Sequence, residues 1–135
     1  MQFIPYLNFA GNAREAMDFY AEVFGGKITQ RFTYGESPMA EQCGPTSAEQ
    51  IMHSQVEVGN AMLMGADGPP PHEAGSTCVN IAIDTPEEAE RIFAALSEGG
   101  SVQCPIAETF WAHRFGLLTD KFGKPWLVNC LKPMP

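Results

Sequence analysis

Apolar residues recur at helical spacing in two stretches of the chain. Across residues 12–24, Ala13, Ala16, Met17, Tyr20, Val23 and Phe24 share one face. Asn12 stands at the N-cap position with Glu15 three residues on, a capping-box pattern, and Gly25 and Gly26 supply a left-handed stop. Across residues 85–97 the stripe is Ala89, Ile92, Phe93 and Leu96. Thr85 caps it, Pro86 takes the first helical position, Glu88 completes a second capping box, and Gly99 and Gly100 end it. The other apolar runs have strand length: 4–10, 27–34, 51–58, 61–64, 77–83, 101–106, 113–119 and 125–131. Gly59-Asn60 and the segment 120–124, with Gly123, read as hairpin turns.

The two helical stretches superimpose at a shift of 73 residues, which sets Glu15 on Glu88, Ala16 on Ala89, Tyr20 on Phe93 and Val23 on Leu96. The strand before each helix and the hairpin after it also correspond, so each half reads β-α-β-β-β. The expected fold is therefore α+β, two pseudo-symmetric βαβββ modules. One module covers only one face of its sheet with its helix, and the other face needs closure. The second module is expected to supply it, leaving a U-shaped cleft between. The modules span about 1–66 and 77–135. The intervening 67–76 is the linker, because Gly68-Pro69-Pro70-Pro71 suits neither helix nor ladder. The segment 35–50 is long for a structureless connection and suggests a lid or a partner contact.

Strand alternation sorts the side chains. Leu7, Phe9, Val56, Val58, Val79, Ile81 and Ile83 are assigned to the helix sides. That turns Tyr6, Asn8, His53, Gln55, Glu57, Cys78, Asn80 and Ala82 toward the cleft. The cleft thus gathers neutral hydrogen-bonding groups, and Phe110 and Trp111, just before a strand, are placed to cover its opening. Apolar lining with a few placed polar groups is the chemistry of a small-molecule pocket. His53 with Glu57 or Glu108 is a candidate acid–base pair.

Composition narrows the partners. With 16 acidic against 8 basic residues the net charge is −8, which argues against nucleic acid and against anionic membranes. No apolar run approaches the ~20 residues of a membrane span, and the first residues lack the basic and apolar regions of a signal peptide. None of the four cysteines, Cys43, Cys78, Cys104 and Cys130, forms a C-x-x-C pair, and three are expected to be buried small hydrophobes in or beside strands. A reducing cytoplasm is the expected location.

The segments PYLNFAGNAREAMDFYAEVFGG (5–26), MLMGAD (62–67), ETFWAHRFG (108–116) and TDKFGKPWLVN (119–129) resemble the PhnB-like branch of the vicinal-oxygen-chelate superfamily, which includes glyoxalase I, bleomycin-resistance proteins and extradiol dioxygenases. The resemblance runs nearly end to end, so the chain reads as a single glyoxalase/bleomycin-resistance-like domain. It implies paired βαβββ modules, a U-shaped cleft and commonly a homodimer. Catalytic members hold a divalent metal with four cleft-facing side chains on the first and last strands of each module. Mapped by the motifs, those positions hold Ile4 or Pro5, Leu63, Cys78 and Leu127. One thiol among apolar residues does not make a site that needs three or four ligands, so no metal and no cofactor are expected there. Leu63 and Leu127 become apolar walls instead. A displaced site from His53, His113 and a carboxylate such as Glu108 is the alternative. The branch is often labelled after a methyltransferase, but no glycine-rich strand-to-helix turn of the kind that holds a methyl donor is visible.

The resulting expectation is a metal-independent binding protein for a small apolar or aromatic molecule. Its lining residues are Tyr6, Asn8, His53, Gln55, Leu63, Asn80, Phe110, Trp111, His113 and Leu127. The alternative is a lyase, isomerase or dioxygenase-type enzyme that uses a displaced metal or acid–base chemistry at His53.

Overall fold

The structure is a computed structural model, and it describes residues 1–36, 48–68 and 77–133. The chain divides into two units, Met1–Ala74 and Gly75–Pro135. The first runs β1 (Tyr6–Phe9), α1 (Ala13–Phe24), β2 (Lys27–Thr33), β3 (Ile51–Val58) and β4 (Ala61–Asp67). The second runs β5 (Val79–Ala82), α2 (Pro86–Ser97), β6 (Ser101–Ala107), β7 (Ala112–Thr119) and β8 (Pro125–Leu131). Strand order is β1-β4-β3-β2 in one sheet and β5-β8-β7-β6 in the other. Each unit is therefore one βαβββ module with the same topology. The first strand pairs in parallel with the last, and the other pairs are antiparallel. The helix and the strands between them provide the long crossover a parallel pair needs.

In the first unit α1 buries Ala13, Ala16, Met17, Tyr20 and Val23, the stripe read from the sequence, in a core with Phe9, Val56 and Leu63. A Cβ placed on Gly65 would lie 2.8 Å from the Met17 sulfur, so Gly65 faces α1. In the second unit α2 buries Ala89, Ile92, Phe93 and Leu96, in a core with Leu118, Trp126 and Val128. A Cβ on Gly116 would come within 2.5 Å of the Phe93 ring, which fixes Gly116 on the helix face of β7.

The two helix starts are built differently. At α2 the Thr85 hydroxyl accepts from the Glu88 amide at 3.2 Å, as its sequence predicts. Thr85→Ala is expected to cost about 1 kcal/mol of stability in denaturant unfolding. At α1 the Asn12 side chain makes no cap hydrogen bond. The carboxylate of Asp67, arriving from the end of β4, replaces it. Its Oδ1 accepts from the amides of Gly11 at 2.8 Å and Ala13 at 3.0 Å, and its Oδ2 from Ile51 at 2.9 Å. β4 therefore extends three residues beyond its expected end at Met64, because Asp67 is still paired with Phe9 in the sheet. The first strands are shorter than expected, four residues each.

Two further expectations need revision or fall outside the structure. Of the cysteines, Cys130 is buried, Cys104 is half-buried and Cys78 is exposed, so the strands do not bury three of them. Cys43 lies outside the described residues, as do the proline run Pro69-Pro70-Pro71, His72 and most of the 35–50 segment.

Candidate functional site

Each sheet has one face against its helix and one face away from it, and the residues with candidate chemistry sort by strand parity. In the first unit the parity is anchored by Gly65 facing α1. Leu63 and Asp67 then share the helix face, and Met62, Met64 and Ala66 point away. The register carries this across the sheet: Tyr6 pairs with Met64, Asn8 with Ala66, Gln55 with Met64 and Glu57 with Met62. His53, two residues before Gln55, joins the same row. Tyr6, Asn8, His53 and Gln55 thus share the face away from α1, as expected.

Leu63 does not. It pairs with Val56, packs toward α1 and is 8% exposed, so it is a core residue and no wall of a ligand face. The residue facing Tyr6 on the other side of the sheet is Met64. The mapping slipped by one position, and in a strand a slip of one moves a side chain to the opposite face.

The polar groups of this face are partnered with each other. The Tyr6 hydroxyl lies 3.2 Å from His53 Nδ1, and their rings sit 5.8 Å apart. Burial, with the Tyr34 phenol adding to it, holds the Tyr6 hydroxyl above its ordinary pKa, so it keeps its proton. Gln55 is buried and donates through Nε2 to the Thr29 hydroxyl at 3.1 Å. Neither candidate acid–base pairing of His53 with a carboxylate occurs among these contacts. Glu108 is held instead by Lys132 at 3.0 Å; that bond, with smaller contributions from His113 and Arg114, keeps its carboxyl below the usual range.

In the second unit Gly116 sets the parity. Arg114 shares its side and reaches Glu90 on α2 at 2.9 Å, so Phe115 and Leu117 belong to the opposite face; His113 lies at the register shift between Ala112 and Arg114, where alternation does not assign it a face. Leu127 pairs with Leu117 on one side and with Asn80 on the other. Asn129 pairs with Phe115 and donates through Nδ2 to the Asn80 side-chain oxygen at 3.2 Å. Trp111 is 40% exposed and meets Phe115 edge-on at 5.2 Å; Phe110 stacks edge-on against Trp111 at 4.8 Å. Asn80, Phe110, Trp111 and Leu127 therefore fall on or beside this face. Phe115, Leu117 and Asn129 belong with them, and so does Met64 in the first unit. Counting parity outward from the buried glycines of β4 and β7 would have found all four.

The donor chemistry at the first- and last-strand positions does not fit a divalent metal. Met64 and Leu127 stand opposite Tyr6 and Asn80, and neither supplies a hard oxygen or imidazole ligand. Among the described residues no group of three or more His, Cys, Asp and Glu could hold a metal ion. A methyl-donor nucleotide fits no better. The strand-to-helix turn at Gly11, where such a ligand would need free amides, already has two amides bound by Asp67.

Two helix-backed βαβββ sheets define a glyoxalase-like fold. A glyoxalase/bleomycin resistance protein/dioxygenase family enzyme from Burkholderia phytofirmans PsJN shares this fold, with a TM-score of 0.62 over 94% of this chain and 97% of that one, at 16% identity. The chain belongs to the PhnB-like family described as 3-demethylubiquinone-9 3-methyltransferase, whose model matches residues 1–129. Protein YjdN of Escherichia coli K12 is 34% identical, covering 100% of this chain and 99% of its own. The crystal structure of protein PA1353 from Pseudomonas aeruginosa matches with a TM-score of 0.87 and 42% identity, over 98% of this chain and 99% of that one. A putative 3-demethylubiquinone-9 3-methyltransferase, PhnB protein, from Bacillus cereus matches with a TM-score of 0.80 and 25% identity, over 96% and 99%. No helix among the described residues is long and apolar enough to cross a membrane.

Proposed function

We propose that this protein binds a small, largely apolar or aromatic molecule without a metal. The observation that carries the reading is Leu127. The position where the resemblance places a metal ligand in catalytic members holds leucine, set between Leu117 and Asn80 on the sheet face away from α2. An aliphatic floor, an amide pair at its edge and the Phe115–Trp111 aromatic contact suit an uncharged ring system, with apolar area giving affinity and the amides giving orientation. The sheet face away from α1, with Tyr6, Asn8, His53 and Gln55, offers the same mixture. The methyltransferase description of the family does not extend to a proposed activity here, since Asp67 already takes the α1 amides.

The cytoplasm is the proposed location. Cys78, Cys104 and Cys130 are all free thiols, and Cys78 is exposed, a state that a reducing compartment preserves. A homodimer is the proposed assembly. Phe110 at 89% exposure and Leu131 at 57% are large apolar side chains that a second subunit would take from water.

The test is a thermal-shift screen of apolar and aromatic compounds, followed by tryptophan fluorescence titration. A ligand present at 100 times its Kd is expected to add about 2.7 kcal/mol of stability. The chain has two tryptophans; Trp126 is buried and hydrogen-bonded to Asp120 at 2.7 Å, so quenching by ligand reports on Trp111. Trp111→Phe should abolish the quenching. A near-stoichiometric transition metal in freshly purified protein, or no stabilising compound in the screen, would overturn the reading.

A further inference from the structure

The Tyr6–His53 contact sets which edge of the imidazole is offered to a ligand. A neutral histidine has one ring nitrogen that donates and one that accepts. Here Nδ1 faces a phenol at 3.2 Å. Between a phenol and an imidazole the proton shared in the bond belongs on the phenol, since its oxygen is a weak acceptor and the imidazole nitrogen a strong one. Tyr6 therefore donates and Nδ1 accepts, which leaves the ring proton on Nε2. His53 then presents an N–H donor, where an unassisted histidine would offer either a donor or a base. Around it the face mixes apolar and polar groups: Phe32 pairs with His53 across β2 and is 45% exposed, Met62 and Met64 lie on the adjacent strand, and Gln55 and Glu57 continue the row of His53 along β3.

We propose that Tyr6 fixes His53 as an Nε2–H donor, and that this donor selects ligands carrying a carbonyl or phenolate oxygen on an otherwise apolar body. This deepens the proposed function and rests on it. Tyr6 is a positioning residue and His53 a specificity-determining one. No bond is made or broken. The arrangement also makes His53 a poor general base, because its basic nitrogen is already engaged.

Two measurements on the full-length protein test this. Long-range nitrogen–proton NMR of the imidazole reports the tautomer directly. Wild-type His53 is expected to carry its proton on Nε2 alone, and Tyr6→Phe to relax to a mixture. A ring protonated on Nδ1 in the wild type overturns the inference. The second measurement compares α-tetralone with tetralin, which share a ring skeleton and differ by the carbonyl, by NMR titration. The ketone is expected to bind about tenfold more tightly, the worth of one good hydrogen bond. Tyr6→Phe should reduce that preference and His53→Phe should remove it. Equal binding of the two probes overturns the inference while leaving the apolar-ligand reading intact. Binding of neither probe overturns it at this face, and the broader reading is then decided by the compound screen.

Discussion

Replacing Asp67 with alanine is expected to lower stability by about 4 kcal/mol in urea unfolding, while replacing Asn12 with alanine changes it by less than about 0.5 kcal/mol. Asp67 is 2% exposed, and its two oxygens serve the amides of Gly11, Ala13 and Ile51. Each buried donor left without a partner costs about 1–3 kcal/mol, and alanine strands two buried amides, Ala13 and Ile51, together with the part-buried amide of Gly11. The Tyr34 hydroxyl also donates to the Asp67 backbone oxygen at 2.6 Å, so β4, the α1 start, the β3 start and the chain after β2 meet at this residue. Asp67→Asn is expected to fall between, since its amide keeps one acceptor and turns a donor toward an N–H. Asn12 has the residue type of a cap but its side chain makes no cap hydrogen bond. Equal losses for Asp67→Ala and Asn12→Ala would return the capping role to Asn12.

That contrast shows why part of the fold was legible in the sequence and part was not. The α2 start was legible because all its information is local: Thr85, Pro86 and Glu88 lie within one turn. The α1 start was not, because its capping group is 54 positions away from Ala13 and arrives through strand pairing. Helix stripes and the repeat were legible for the same local reason, and both βαβββ modules followed. Side-chain facing was legible wherever a strand alternates cleanly, which recovered Tyr6, Asn8, His53, Gln55, Asn80 and Leu127. It failed at Leu63, where motif correspondence replaced parity; β4 reads Leu63, Gly65 and Asp67 on one side, and the two apolar methionines beside them disguise the alternation. The His53 partner was hidden as well. Spacing suggested a carboxylate, but two strands that pair through β4 brought a phenol from 47 residues away.

Phe93→Ala is expected to cost about 3–5 kcal/mol, and a second substitution tells why. Phe93 is 6% exposed, and its ring lies over Gly116, where an added Cβ would fall 2.5 Å from Cε2 and 3.0 Å from Cδ2. The glycine is a slot for the ring. Removing the ring leaves a cavity whose floor has no side chain able to relax into it, which puts the loss in the upper part of the range for large-to-small core changes. Gly116→Ala alone should also destabilise, by about 1–3 kcal/mol, because the new methyl overpacks against the ring. Combined, the two changes are expected to cost clearly less than their sum, since the methyl enters the space the ring vacated. Recovery should stop short of wild type, because the same Cβ would stand 3.1 Å from the Ile106 backbone whether or not the ring is present. Strict additivity in this double-mutant cycle would mean that Phe93 and Gly116 act independently, and the packing of α2 on β7 would then need another explanation. Sub-additivity would identify the glycine as the determinant of how closely α2 approaches its sheet, on the face opposite to Phe115 and Leu117.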